Sequence, residues 1–306
     1  MLAHPALESG TTVTVGTFDG VHRGHHAVLQ EIVRRARRAG RKSLLVTFEP
    51  HPLEVVKPAA APLLLTTGLE RREALAQTEI DYAVFLRFDR TMAAMSPDTF
   101  VREVLRRQFG MQELVIGYDH GFGRGRSGDV ETLKRLGVED GFLVDVVPPV
   151  ESGGQAVSST QVRRAVSAGD LAGAARLLGR NYSVTGQVVP GAGRGRTIGI
   201  PTVNLGQVPA NKLLPPDGVY AAWVETPSGR FGAMLNQGAR PTFGEQGRSL
   251  EAHLFNFSGN LYGRWLRIEW IERLRETKKF NSAEELMAQL DRDRDAATHV
   301  LQGTKK

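Results

Sequence analysis

The pattern of apolar and polar positions changes character once along the chain. In the first half, short apolar, β-branched runs alternate with amphipathic stretches of helical period. Thr12–Val15, Leu44–Phe48, Tyr82–Phe85, Leu114–Ile116 and Phe142–Val147 read as strands. Gly24–Ala39, Leu69–Thr78, Ser96–Phe109 and Asp129–Leu136 read as helices between them. Ser96-Pro97 is a helix start, a capping side chain followed by proline at the first helical position. Strands alternating with helices predict an α/β fold with a doubly wound, mostly parallel sheet, which binds ligands beyond the carboxyl ends of its strands. Two further helices are expected at Ser159–Ala168 and Asp170–Leu178.

After Gly179–Tyr182 the texture becomes short strands divided by Gly/Pro turns: Ser183–Val189, Ile198–Leu205, Val219–Glu225, Phe231–Asn236, Leu250–Phe255 and Leu261–Glu272. That predicts an antiparallel barrel or sandwich. Ser282-Ala-Glu-Glu285 is a capping box opening a last helix through about Val300. The expected organisation is two domains, 1–180 and 181–306.

Composition narrows the chemistry. Of 306 residues, none is cysteine, which excludes disulfides, thiolate metal sites, iron–sulfur clusters and a cysteine nucleophile. No apolar run approaches the roughly 20 residues of a membrane span, and Met1–Gly10 lacks the sections of a signal peptide, so a cytoplasmic protein with no membrane partner is expected. The net charge of +6 raises the question of nucleic acid. Residues 1–180 carry 23 Lys+Arg against 21 Asp+Glu, and residues 181–306 carry 16 against 12, so neither half is strongly polarised. The densest basic run, Arg34 to Lys42, lies on a helix opposite the apolar face Val28, Leu29, Ile32, Val33 and Ala36, which reads as a solvated surface. A modest positive excess also suits polyphosphate substrates.

The chemistry-bearing residues sit in the loops after the strands. The first is Gly16-Thr-Phe18-Asp19-Gly20-Val-His22-Arg-Gly24-His25. Its glycines let backbone approach a ligand, and the helix starting near Gly24 turns free N–H groups and its positive dipole end to the same space. His22 and His25, three apart, share one side once helical and can donate to phosphate oxygens. Zinc is disfavoured: a structural site needs four ligands, and the chain has neither cysteine nor H-E-x-x-H. Phe48-Glu-Pro-His51-Pro52 is a stiff loop that either holds His51 for chemistry or is a rigid turn. In Gly117-Tyr-Asp119-His120-Gly-Phe122-Gly123-Arg124-Gly-Arg126-Ser-Gly128, a G-x-G-x-x-G match stands well beyond the strand end and carries arginines inside the turn, so a basic phosphate-facing loop fits better than a dinucleotide fold. Val157-Ser158-Ser159-Thr160-Gln-Val-Arg163 opens a helix with a hydroxyl cluster and a planar cation.

In the second half, Gly191-Ala-Gly193-Arg194-Gly195-Arg196-Thr-Ile-Gly199-Ile-Pro201-Thr202-Val-Asn204 can form a backbone nest for phosphate. It is no Walker loop, for G-K-[ST] is absent, and the protein-kinase motifs are missing too. Thr202 and Asn204, two apart on a strand, offer neutral oxygens to Mg²⁺ and phosphate. Glu251 in Glu251-Ala-His253-Leu-Phe255 reads either as a base for an attacking hydroxyl or as a strand-surface glutamate.

The motifs G-T-F-D-G-V-H-R-G-H, T-F-E-P-H-P, G-Y-D-H-G-F-G and S-S-T-Q-V-R together resemble the H-x-G-H nucleotidyltransferases, specifically the FMN adenylyltransferase module of bacterial FAD synthetases. G-R-G-R-x-x-G-x-P-T-x-N, G-A-R-P-T-F, E-A-H-L-F and R-E-T-K-K-F-N-S resemble the riboflavin kinase family. The first resemblance implies a Rossmann-like domain with ATP over His22 and His25 and with Asp119, Ser159 and Arg163 around the nucleotide. The second implies a six-stranded antiparallel β-barrel with a C-terminal helix, Mg²⁺ with ATP at Thr202 and Asn204, Glu251 as base for the ribityl 5′-hydroxyl, and Arg275 and Phe280 near the flavin. The resemblance thus implies an enzyme that phosphorylates riboflavin to FMN and adenylylates FMN to FAD, with ATP as co-substrate and no tightly bound redox cofactor. A single live module, or a basic nucleic-acid-binding protein, is the rival reading. The chain leaves a homo-oligomer open.

Overall fold

The computed structural model describes residues 9–118, 128–191, 195, 199–239 and 248–304. Their packing divides into two compact units: the residues up to Leu64 with Gly68–Ser159, and Leu65–Thr67 with the residues from Thr160 onward.

In the first unit, β1 (Thr11–Val15) is buried at every position and lies at the centre of a parallel sheet with β2 (Lys42–Glu49), β3 (Tyr82–Arg87), β4 (Met111–Gly117) and β5 (Leu143–Val147), in the order β3-β2-β1-β4-β5. Strand alternation builds a core on each face. Leu44, Val46, Phe48, Leu114 and Ile116 enter one, with Val101, Val104 and Leu105. Leu45 and Val115 enter the other, with Leu29 and Ile32 of α1 (Arg23–Arg38) and Leu75 of the later helix Gly68–Ala76. The arginine run of α1 lies outside this apolar stripe, as its period requires. The chain steps outward from β1 to β2 and β3, then returns to the other side of β1 as β4. The strand order reverses there, and such a switch point opens a crevice between the loops after β1 and β4.

Pro52–Val56 and Arg90–Ala94 form short helices, here α2 and α4 around α3 (Gly68–Ala76), in segments the apolar pattern leaves unassigned. Their start signals are N-cap residues, His51 and Asp89, rather than an apolar stripe. The helix expected over Ser96–Phe109 is α5 (Pro97–Thr99) running on as a π-helical Phe100–Arg106. α6 (Val130–Asp140) starts at the Asp129 cap and ends at Gly141, φ +71°.

In the second unit, β8 (Ser183–Val189), β9 (Val203–Gly206), β10 (Gly218–Thr226), β11 (Gly229–Ala239), β12 (Arg248–Leu254) and β13 (Trp265–Arg275) close a barrel in the order β10-β11-β12-β9-β8-β13. Two short paired strands, β6 (Glu151–Ser152) and β7 (Gln155–Ala156), come earlier in the chain, within the first unit. β13 begins later than the apolar run suggests, because Leu261–Arg264 is a turn with Gly263 at φ +75°. Tyr220, Ala222 and Val224 face the barrel core, while Ala221 and Trp223 face Ala297 and Leu301 of the C-terminal helix Ala283–Gln302. Val162 and Val166 of α7 (Ser159–Ala168) and Leu171, Ala174 and Leu178 of α8 (Leu171–Leu178) share the barrel's core. Packing thus groups these two helices with the barrel, whereas the change of texture falls after them. The buried Lys212 ammonium donates to Leu65 O at 2.7 Å and Ser183 O at 2.8 Å and lies over the Tyr182 ring, which fastens residues 65–67 into this unit. No helix among the described residues is long and apolar enough to cross a membrane.

Candidate active sites

The loop leaving β1 is wound tightly. Gly16 N–H extends the ladder to Val46 O at 3.1 Å. Then Phe18 (φ 48°), Gly20 (φ 86°) and Val21 (φ 40°) all take left-handed backbone. A β-branched residue there is an outlier, and each such non-glycine residue costs about 1–3 kcal/mol. The surroundings hold the strain in place: Phe18 and Val21 are buried, and Thr47 Oγ1 donates to Thr17 O at 3.1 Å.

His22 closes the loop and caps α1. Its Nδ1 accepts from His25 N–H at 3.3 Å, so in the neutral ring the proton resides on Nε2 and that nitrogen is a donor. The His22 and His25 rings stack with centroids 3.6 Å apart, and Phe18 covers His25 at 4.5 Å. Gly24 sits under the pair. A Cβ there would stand 3.1 Å from the His22 ring and 3.3 Å from Val157 O, so the H-x-G-H spacing is a packing requirement as well as a pattern. Gly16 likewise leaves room for the Phe18 ring. Asp19 is buried, and its carbonyl accepts from Ser159 Oγ at 2.9 Å, which joins the loop to the start of α7. The β1 loop, the α1 N-terminus and Ser159 therefore meet.

The other expected residues of this half are placed less centrally. His51 caps α2, its Nδ1 accepting from Leu53 N–H at 3.2 Å while its own N–H donates to Glu54 at 3.3 Å. Ser158 is half-buried just before α7, and Arg163 lies along α7 among the residues of the second unit. Asp119 and the glycine–arginine loop after it lie outside the described residues.

Sequence reasoning missed Arg71. It stands in Glu70-Arg71-Arg72-Glu73, a run that reads as a solvated helix face, yet it is 5% exposed. Its Nη1 donates to Thr17 O and its Nη2 to Phe48 O, each at 2.8 Å. Burial pushes its pKa down from the usual arginine range, while the Asp19 and Glu49 carboxylates oppose that shift.

In the barrel, strand register assembles the second cluster. Glu251 of β12 pairs directly with Asn204 of β9 on one side and Asn236 of β11 on the other, and paired residues share a face. The half-buried side of β12 carries Ser249, Glu251 and His253, while Leu250, Ala252 and Leu254 point into the core. Among the described residues no side chain pairs with the Glu251 carboxylate. His253 Nδ1 is 2.8 Å from Pro201 O and, as donor, fixes the chain just before Thr202. Thr202 itself precedes β9, which starts at Val203, one residue later than a shared strand face for Thr202 and Asn204 would need. A side chain at Gly191 would run into the Asn204 amide, and a Cβ on Gly195 would lie 3.5 Å from the Thr202 methyl. Gly191, Gly195, Thr202, Asn204, Glu251 and His253 thus come together, whereas Gly193, Arg194 and Arg196 lie outside the described residues.

Arg275 is held elsewhere on the same cross-strand row, which runs Arg275–Val219–Asn236–Glu251–Asn204. Its guanidinium grips the buried Asp293 carboxylate at 2.7–3.0 Å and lies over the Phe280 ring at 5.8 Å.

Comparison with known proteins matches these two constructions separately. A family model described as FAD synthetase matches residues 4–161, and one described as riboflavin kinase matches residues 178–301. A bifunctional riboflavin kinase/FMN adenylyltransferase of Escherichia coli K12 is 37% identical over 98% of this chain and 96% of its own length. That of Pseudomonas fluorescens is 39% identical over 94% and 92%. The chain belongs to the bifunctional riboflavin kinase/FMN adenylyltransferase family. A solved structure titled a macrolide-efflux protein, from Streptococcus pneumoniae, aligns over 94% of both chains with a TM-score of 0.83 and 30% identity. That title and the family disagree. The family models and the curated relatives agree across the same residues, so the likeness to that structure is taken as one of architecture. The six-stranded barrel with its C-terminal helix and the doubly wound α/β domain are both as the motifs implied.

Proposed function

We propose that each family activity is carried by its own unit, with adenylyl transfer at the β1–α1 loop and riboflavin phosphorylation on the Asn204–Glu251 row of the barrel. In the first, the ATP triphosphate lies over the N-terminus of α1. Gly16, Phe18, Asp19 and Gly24 shape the cradle, His22 Nε2–H and His25 donate to phosphate oxygens, and His51, Asp119, Ser158 and Ser159 complete the surroundings. FMN already carries a phosphate anion, which attacks the α-phosphorus as pyrophosphate leaves. No general base is needed, so the residues contribute alignment and neutralise developing charge.

In the second, riboflavin's 5′-hydroxyl must lose a proton as it attacks the γ-phosphorus of ATP and ADP leaves. Glu251 is the group placed to take it, beside Asn204 on the same face. Thr202 and Asn204 offer neutral oxygens beside a carboxylate, the donor chemistry of a hard cation that keeps several waters. The close fit of Gly191 against the Asn204 amide supports a cradle at this point. These residues would hold Mg²⁺ with ATP, where it would neutralise phosphate charge. Gly193, Arg194, Gly195 and Arg196 would line the triphosphate, and Arg275 and Phe280 the flavin end of the row. We place both reactions in the cytoplasm and assign the positive excess to polyphosphate rather than nucleic acid.

The direct register of Glu251 with Asn204 carries the kinase assignment, and the capped His22–His25 stack carries the transferase assignment. Incubating the chain with riboflavin, ATP and magnesium should yield FMN first and FAD later. Accumulation of FMN alone would refute the transferase assignment.

A further inference from the structure

Arg71 combines three properties that rarely occur together. It is almost wholly buried, it is charged, and among the described residues no carboxylate lies within ion-pairing distance of it. Lone buried charges are expensive, and proteins ordinarily pair them. Here the guanidinium is satisfied by two backbone carbonyls and by the Phe85 ring at 5.2 Å, with Nε left unpartnered. Its neighbour shows the ordinary arrangement: Arg72 is half-exposed, ion-paired to Glu49 at 2.5 Å, and covers the other part of Phe85 at 4.2 Å. The expense at Arg71 therefore secures something that Arg72 does not.

The two carbonyls identify it. Thr17 lies in the β1 loop, between Gly16 and the strained Phe18. Phe48 is near the end of β2, immediately before Glu49-Pro50-His51. One planar fork with fixed donor spacing spans the loop leaving β1 and the end of the adjacent parallel strand β2. Thr47 Oγ1 also reaches Thr17 O, so this carbonyl is clamped twice. The clamp leaves a buried positive charge, felt by the Asp19 and Glu49 carboxylates but directly ion-paired to neither, behind a loop whose open side would carry a triphosphate. In a water-poor setting such a charge acts at a distance on phosphate without touching it.

We propose that Arg71 is a positioning residue for adenylyl transfer, locking the β1 loop to the end of β2 and adding a buried cation beneath the phosphate cradle. The inference rests on reading the β1–α1 loop as the transferase site. It predicts that Arg71 contributes to ATP use in that reaction while leaving the barrel's reaction untouched.

The full-length chain contains its own control. In Arg71→Met, which keeps the stem and loses charge and fork, kcat/KM for ATP in FMN adenylylation should fall about 10- to 100-fold, with KM for ATP rising. Riboflavin phosphorylation by the same sample, including its KM for ATP, should stay within about twofold, since Arg71 packs within the first unit and the kinase residues belong to the second. Arg71→Lys restores the charge without the fork and should fall between the two. Adenylylation by Arg71→Met at the wild-type rate would overturn the inference. So would parallel loss of both reactions in both variants, which would show a folding role only. A wild-type chain that phosphorylates riboflavin but forms no FAD would instead overturn the transferase reading itself.

Discussion

On the proposed assignments, the two units would handle phosphate by different physical means. In the first, backbone does most of the work: a helix N-terminus, a loop forced into left-handed conformations, and a histidine, His22, that caps the helix. In the second, side chains on neighbouring strands are aligned by register, and glycines mainly clear space for them. The chemistry accounts for the difference. A phosphate nucleophile needs alignment and charge neutralisation, whereas a hydroxyl nucleophile needs a base at a fixed distance from the phosphate site. A barrel strand supplies that distance through pairing alone.

The contrast can be broken one half at a time. Glu251→Ala should lower riboflavin phosphorylation roughly 100- to 10,000-fold and leave adenylylation of added FMN within about twofold, measured by product chromatography. His22→Ala should lower FAD formation from FMN about 100- to 1,000-fold while FMN formation persists. It also removes the α1 cap, at about 1 kcal/mol, which is too little to unfold the unit. Asp293→Asn leaves the Arg275 guanidinium facing a neutral partner and should destabilise the barrel by about 3 kcal/mol in denaturant melts. The smallest effect is electrostatic. Glu31, bonded to Arg34 and Arg35, has its pKa lowered from 4.5 to about 2. Its contribution is present above the unfolded value and disappears as pH falls through about 2. Arg34 is mostly exposed and Glu31 and Arg35 keep about a quarter of their side-chain surface in water, so Glu31→Gln should lower the melting temperature by only about 1–2 °C at pH 7 and by nothing well below pH 2.

Much of this contrast was legible in sequence, for reasons that differ by region. The parallel sheet was legible because β1, β2 and β4 are buried on both faces and read as continuous apolar runs. His22 and His25 stood out because glycines and a helix start surround them. Arg71 was hidden because burial of a charged residue has no local signature: a helix with Glu70-Arg71-Arg72-Glu73 on it looks solvated until the loops fold over it. The π-helical turn at Phe100–Arg106 and the left-handed Val21 were hidden for the same reason, since tertiary packing imposes both against local preference. Glu251 was ambiguous in sequence because its meaning lies in its cross-strand partner, and register is a property of the closed barrel.

Two independent sites, one using the FMN that the other makes, should complement each other across separate chains. Mixing His22→Ala and Glu251→Ala chains tests it most directly, with riboflavin, ATP and magnesium as the only substrates. The first variant alone should stop at FMN, and the second alone should leave riboflavin unchanged. The equimolar mixture should produce FAD. A mixture that accumulates FMN without FAD, although each variant retains its own half-reaction, would contradict the account.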